Sequence, residues 1–166
     1  MDCMRPRDDD WEDRLAALWR ELDDHTSAEF VAELETLLAQ LPPNSAVACF
    51  ERGAAQDSTG HPDRAVPLYR EALALGLSGI RRRRAVIQLA SSLRNLGQSA
   101  ESVTLLRHEI DRGPDELDDA VRAFLALALH DVGEHDEALS LALTALAPHL
   151  PRYQRSLANY AGLIGR

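Results

Sequence analysis

Residues 58–76 read STGHPDRAVPLYREALALG, residues 95–113 read NLGQSAESVTLLRHEIDRG and residues 131–149 read DVGEHDEALSLALTALAPH. Aligned on Gly60, Gly97 and Gly133, which stand 37 and 36 residues apart, the three share a pattern. Five residues after each glycine comes a small residue, Ala65, Ser102 or Ala138; seven residues before it comes another, Gly53, Ala90 or Ala126. Helices cross closely where their facing side chains are small, so the pairing predicts an antiparallel hairpin closed at a glycine turn. A near-constant period predicts that such hairpins stack into an array.

Composition agrees. The chain of 166 residues is 45% hydrophobic but only 5% aromatic, a profile dominated by Ala and Leu and poor in the residues that sheets favour. Apolar periodicity places repeat helices at about 45–58, 62–75, 80–96, 99–112, 117–132 and 135–147. Pro67 inside the second of these predicts a late start or a bend. Upstream, Trp11, Leu15, Leu18, Trp19 and Leu22 share one face of a helix over Asp8–Asp23; Thr26 or Ser27 caps a second helix carrying Phe30, Leu34, Leu37, Leu38 and Leu41, stopped by Pro42 and Pro43. After Pro148 and Pro151 comes a last helix with Tyr153, Leu157, Tyr160 and Ile164 on one side. The expected organisation is an acidic N-terminal hairpin over 1–44, three repeats over 45–150 (about 45–81, 82–117 and 118–150) and a C-terminal capping helix over 151–166.

These features resemble the tetratricopeptide repeat family, carried by Gly53, Gly60, Ala65, Tyr69, Ala72 and Leu73, then Leu89, Ala90, Leu93, Gly97, Leu105, Ile110 and Pro114, then Leu125, Ala126, Leu129, Gly133, Ala138, Ala145 and Leu146. Cys49, Val86 and Arg122 replace the family's aromatic near the start of each first helix. The stretch IRRRRAVIQLASSLRNLGQSAESVTLLR, residues 80–107, is similar to small stand-alone bacterial members of unassigned function, which implies a homodimer. The resemblance implies an all-α, right-handed superhelix of about nine helices whose first helices line a concave, partner-binding groove. By register that groove carries Val47, Phe50, Glu51, Ala54 and Asp57, then Arg84, Ile87, Gln88, Ser91, Arg94 and Asn95, then Ala120, Ala123, Phe124, Leu127 and His130. The family's two-carboxylate clamp needs basic and Asn residues across three units; here they fall in one, so the clamp is not carried over.

Arg84, Gln88, Ser91, Arg94 and Asn95 are the expected partner-binding residues, suited to carboxylates or peptide backbone, so the partner is a protein or peptide, an acidic one in particular. The helix AVRAFLALALHDVG at 120–133 is apolar almost all round, which points to self-association through Phe124 and Leu127.

Charge bounds the alternatives. The net charge is −9, and residues 1–40 hold twelve acids against four Arg. Such a field disfavours phosphate backbones, and nucleic acid is accordingly not the expected partner. The run Arg81–Arg84 opposes the dipole of the helix it opens, so something must compensate: solvent, the acidic N-terminal segment, a second subunit or an acidic partner. A nucleic-acid-associated regulator using this run is the alternative function. His130, Asp131, Glu134, His135 and Asp136 cluster at a turn, where acids cap the next helix; neither H-E-x-x-H nor paired CxxC accompanies them. No G-x-S-x-G is present either, so no catalytic residue, metal or cofactor is assigned. Two cysteines, Cys3 and Cys49, an N-terminus unlike a secretory signal and no membrane-length apolar run place the chain in the cytoplasm.

Overall fold

The computed structural model describes residues 5–166, with side chains from Asp10 onward. Asp2 and Cys3 lie outside the described residues, as do the side chains of Asp8 and Asp9. Nine α-helices occur among the described residues: α1 (Arg5–Arg20), α2 (Ser27–Leu38), α3 (Ala46–Ser58), α4 (Pro62–Ala74), α5 (Gly79–Asn95), α6 (Ser99–Ile110), α7 (Asp118–Asp131), α8 (His135–Leu146) and α9 (Gln154–Ala161). Each packs on its chain neighbour, and α5 also touches α3 and α7, so the first helices of successive hairpins form one row.

The turn glycines repeat as a structural motif. Gly60, Gly97 and Gly133 have φ of 85°, 76° and 88°, and the residue after each donates its N–H back across the helix end, His61 to Gln56, Gln98 to Leu93 and Glu134 to Leu129, at 2.8, 2.8 and 2.9 Å. This six-to-one closure satisfies carbonyls the helix would leave orphaned and requires a left-handed residue at its corner. A Cβ at these positions would meet nothing within 4 Å, so backbone conformation, not crowding, selects glycine.

At the crossings the small residues Gly53, Ala90, Ala126, Ala65, Ser102 and Ala138 are all buried. Three apolar clusters follow one another along the array. The first joins Trp11, Leu15, Phe30 and Leu34 to Ala48 and Ala55; the second surrounds Phe50, Tyr69 and Leu93; the third surrounds Leu106, Val121 and Leu129. Each cluster ties a hairpin to the helix that follows, as in a quasi-one-dimensional stack.

Local signals hold with three differences. Thr26 caps α2 through a capping box with Glu29, and Ser45 Oγ accepts from Ala48 N at 3.2 Å to start α3. Helix α1 begins at Arg5 rather than Asp8, so its acids lie further in. Helix α4 starts at Pro62 without delay, where a missing N–H costs nothing, and Pro67 is accommodated inside it. In α9, Tyr153 and Tyr160 do not share the buried side with Ala161; both point to solvent.

Candidate functional site: the α5 face and its arginine network

Helix α5 is the central first helix of the row. Its inner stripe, Ala85, Leu89 and Leu93, is buried in the core shared with α3 and α4. The stripe Arg84, Gln88, Ser91 and Asn95, spaced as one helical face, is half-buried to exposed.

Three of the four arginines that open α5 meet carboxylates from five other parts of the chain. Arg81 Nε lies 3.2 Å from Glu51 Oε1 on α3, while its Nη1 donates to Glu12 Oε1 on α1 at 2.9 Å. Arg82 holds Glu109 of α6 in a two-pronged contact at 2.7 and 2.9 Å. Arg83, itself buried, donates to Gly113 O at 3.2 Å and pairs with Asp115 at 3.1 Å and with Asp118 of α7. The acids supply the compensation that the helix dipole demands, and the planar guanidinium fork allows one residue to tie two elements together. Of the readings open for the run, pairing with the acidic N-terminal segment is realised in Glu12, and partners from α3, α6, the 111–117 loop and α7 join it.

Arg84 differs. It has no carboxylate partner among the described residues, and its guanidinium carbon sits 5.2 Å from the centre of the Phe50 ring. Such a contact is worth about 0.5–1 kcal/mol at an exposed site and leaves the N–H donors open.

Burial corrects the expected groove lining. Phe50, Glu51, Ala54 and Ile87 are buried, not displayed. Glu51 is only 2% exposed, and Trp19 of α1 donates its indole N–H to it at 2.8 Å while Arg81 closes the other side. Burial pushes the Glu51 carboxyl above the ordinary carboxylate range, opposed first by the Trp19 hydrogen bond and then by Arg81. Asp57 is likewise pushed up by burial, with the Ser92 and Tyr69 hydroxyls beside it pulling the other way. Position in the repeat could place Glu51 near the concave side, but nothing in the sequence pointed to Trp19 as its cover.

The remaining candidates are distributed unevenly. Arg94 is paired across the row, its Nε 2.6 Å from Asp131 Oδ2 of α7. Gln88 Oε1 is buried and meets no hydrogen-bond partner, whereas Asn95 is exposed. Of the two self-association candidates, Leu127 is exposed and Phe124 is half-buried against the third core cluster. At the turn before α8, His130 Nδ1 and His135 Nδ1 stand 3.1 Å apart, and no group of three or more His, Cys, Asp or Glu arranged for a metal occurs among the described residues. The acids there serve the dipole of α8 through Asp136 and Glu137, but Glu134 makes no side-chain cap bond, contrary to the capped turn expected.

Stacked hairpins, recurring glycine turns and buried small crossings together define the repeat, and the sequence profile of the tetratrico peptide repeat family matches residues 46–164. The chain belongs to the tetratricopeptide repeat family. Comparison with curated proteins and with solved structures returns no match. Tetratricopeptide repeats are protein-interaction modules as a class. The matched span begins at α3, so the α1–α2 hairpin lies outside it although it packs on α3 through the first core cluster. No helix among the described residues is long and apolar enough to cross a membrane.

Proposed function

We propose that this tetratricopeptide repeat protein is a noncatalytic cytoplasmic module that holds a peptide or protein segment along the outer stripe of α5 and that it works as a homodimer. One observation carries the first part: α5 presents an exposed Arg84 without an acid partner among the described residues and an exposed Asn95 on the same face as the half-buried Gln88 and Ser91. Hydrogen-bonding groups left open on a rigid helix suit an extended peptide, which brings one N–H and one C=O per residue, with Arg84 available for a side-chain or terminal carboxylate. Arg94, engaged with Asp131, contributes to the rigidity of the row and reaches a ligand only by giving up that contact.

The test starts by capturing partners from the native cell and mapping the bound segment. The segment is then titrated calorimetrically against the wild type and against a variant carrying Arg84→Ala, Gln88→Ala and Asn95→Ala. A charge-assisted contact contributes about 1.5–3 kcal/mol, so affinity should fall at least tenfold with helical content unchanged. Unchanged affinity would move the partner off this face. A salt series on random duplex tests the nucleic-acid alternative, which requires affinity that drops steeply with salt.

A further inference from the structure

The array ends on an open slot. Helix α7 sits on the preceding hairpin over Val103, Leu106 and Ile110 of α6, which lie six, nine and thirteen residues after Gly97. The same positions after Gly133 are Leu139, Ala142 and Leu146, and no helix among the described residues covers them: Leu139 is 51% and Leu146 48% exposed. Together with Ala123 and Leu127 of α7, Leu139 and Ala142 line an apolar depression of about 450 Å³. The depression is the seat that each earlier hairpin offers to the next first helix.

Helix α9 does not take that seat. It packs on a different flank of α8, where Ser140 Oγ donates to Ala161 O at 2.8 Å and Gly165 lies against Asp136. The connection passes through Tyr153, the one non-glycine residue with positive φ (69°) among the described residues, and Tyr160 of α9 (68% exposed) and Leu163 just after it (61%) face outward. The slot and the outer face of α9 are thus two apolar surfaces at one end of the same chain, separated by α8.

Their charges are complementary. The C-terminal segment from Leu150 carries Arg152, Arg155 and Arg166 and no acidic side chain. Glu134 stands at the end of the α7–α8 hairpin where His130 and His135 border the slot. Neither these arginines nor Glu134 has an ionic partner among the described residues, whereas Asp131 and Glu137 nearby are already paired with Arg94 and Arg107.

We infer that the occupant of the slot is the C-terminal segment of a second copy: the surface formed by Tyr160 of α9 and Leu163 after it in one protomer lies in the α7–α8 slot of its partner, and the reverse, about a two-fold axis. Such an isologous interface matches each surface twice and closes at two subunits, leaving no apolar end from which filaments could grow. It covers the exposed residues on both surfaces, brings the unpaired arginines toward the unpaired Glu134, and leaves the α5 face free. The inference rests on the homodimer reading above and names its interface, which involves Leu127 but not Phe124.

Sedimentation of the full chain at micromolar concentration tests it, with Leu139→Glu and Tyr160→Glu as variants. Both sites are on the surface, and circular dichroism establishes that each variant keeps its helical content. Expected are a dimeric wild type, a shift of about tenfold or more toward monomer for each variant, and heterodimers when the two variants are mixed at high concentration. In the mixture one intact α9 meets one intact slot. A monomeric wild type overturns both the dimer and its interface; a dimer indifferent to either substitution overturns the interface but leaves the dimer standing, with Phe124 and Leu127 of the groove next in line. Failure of the mixture to form heterodimers overturns the reciprocal pairing. None of these results bears on partner binding along α5, which the calorimetric test reads separately.

Discussion

At the first repeat crossing the small residue is Gly53, where the next two repeats have Ala90 and Ala126, and the structure gives a physical cause. A Cβ built on Gly53 would lie 2.8 Å from both Cδ1 and Cε1 of Tyr69 and 3.4 Å from Leu68 Cβ. Tyr69 is fully buried, so its ring cannot swing away into solvent. The equivalents of Tyr69, nine residues after each turn glycine, are Leu106 and Ala142, and the repeats with those smaller residues carry Ala at the crossing. Gly53→Ala therefore sets two effects against each other. Relief of glycine's helix penalty stabilises by about 0.8–1 kcal/mol, while overpacking against a fixed ring costs about 1–3 kcal/mol. Net destabilisation of about 0–2 kcal/mol is expected. In a Tyr69→Leu background the ring is gone and the same change should stabilise by about 1 kcal/mol, although Tyr69→Leu is itself destabilising through lost burial. The coupling between the two substitutions is thus about 1–3 kcal/mol, read as non-additive urea midpoints followed by far-ultraviolet circular dichroism. Additivity to within about 0.5 kcal/mol would refute the claim that the ring selects the glycine.

Three further expectations concern charge and turns. Burial raises Glu51 and Asp57, so between the ordinary carboxylate value and the raised one the folded chain binds more protons than the unfolded chain; these groups cost stability as pH rises through that window and return it as pH falls. Glu51→Gln, which keeps an acceptor for Trp19, should stay within about 1 kcal/mol of wild type at neutral pH and gain less on mild acidification, whereas Glu51→Ala leaves the indole N–H unpaired and should cost about 1–3 kcal/mol. Urea midpoints at stepped pH compare the three, and equal acid gain in wild type and Glu51→Gln would assign the effect elsewhere. Arg83→Ala leaves Asp118 and the Gly113 carbonyl without their buried partner; a loss of about 3–5 kcal/mol is expected, together with faster amide exchange over residues 111–117. Gly97→Ala meets no steric obstacle but forces a left-handed conformation at φ 76°, so it should cost about 1–2 kcal/mol, and a neutral result in thermal melts would show that the turn can relax.

The repeat was legible because its signals are local and recur. Gly60, Gly97 and Gly133 each need a left-handed corner, and the small residues flank them at fixed distances, so one alignment delivered six helices to within a few residues. The partners of the arginine run were not legible, because Arg81 meets Glu12 from 69 positions away and Glu109 lies 27 positions after Arg82; composition reveals that acids must answer the run, not which ones. The concave register failed at Phe50, Glu51, Ala54 and Ile87 because it assumes an open groove, whereas Trp19 from α1, outside the recurring pattern, closes over Glu51, while Phe50 and Ala54 belong to the second core cluster and Ile87 to the third. The last helix was legible as a helix but not in its placement, since a stripe of Tyr153, Leu157, Tyr160 and Ile164 does not say which flank of α8 it will meet, and the turn at Tyr153 is a backbone conformation that tyrosine rarely adopts.

The arginine network also constrains what the α5 face can recognise. Five cations lie on this helix, Arg81–Arg84 and Arg94, and four of them are held by acids of the same chain. An acidic partner that relied on the run would have to displace Glu12 and Glu51 from Arg81, or Glu109 from Arg82, leaving a carboxylate buried without its counterion; Glu51 and Glu109 are each only 2% exposed, so that exchange costs more than the new contact returns. The sequence makes α5 look like a strongly cationic surface, yet as folded it offers one guanidinium without an acid partner among the described residues, beside amide and hydroxyl groups. Recognition on such a face draws on backbone-directed hydrogen bonds and shape, with Arg84 fixing the position of a single carboxylate. The basic run is the clamp that joins α1, α3, α6 and α7 around α5, and through that rigidity it holds the face in one geometry.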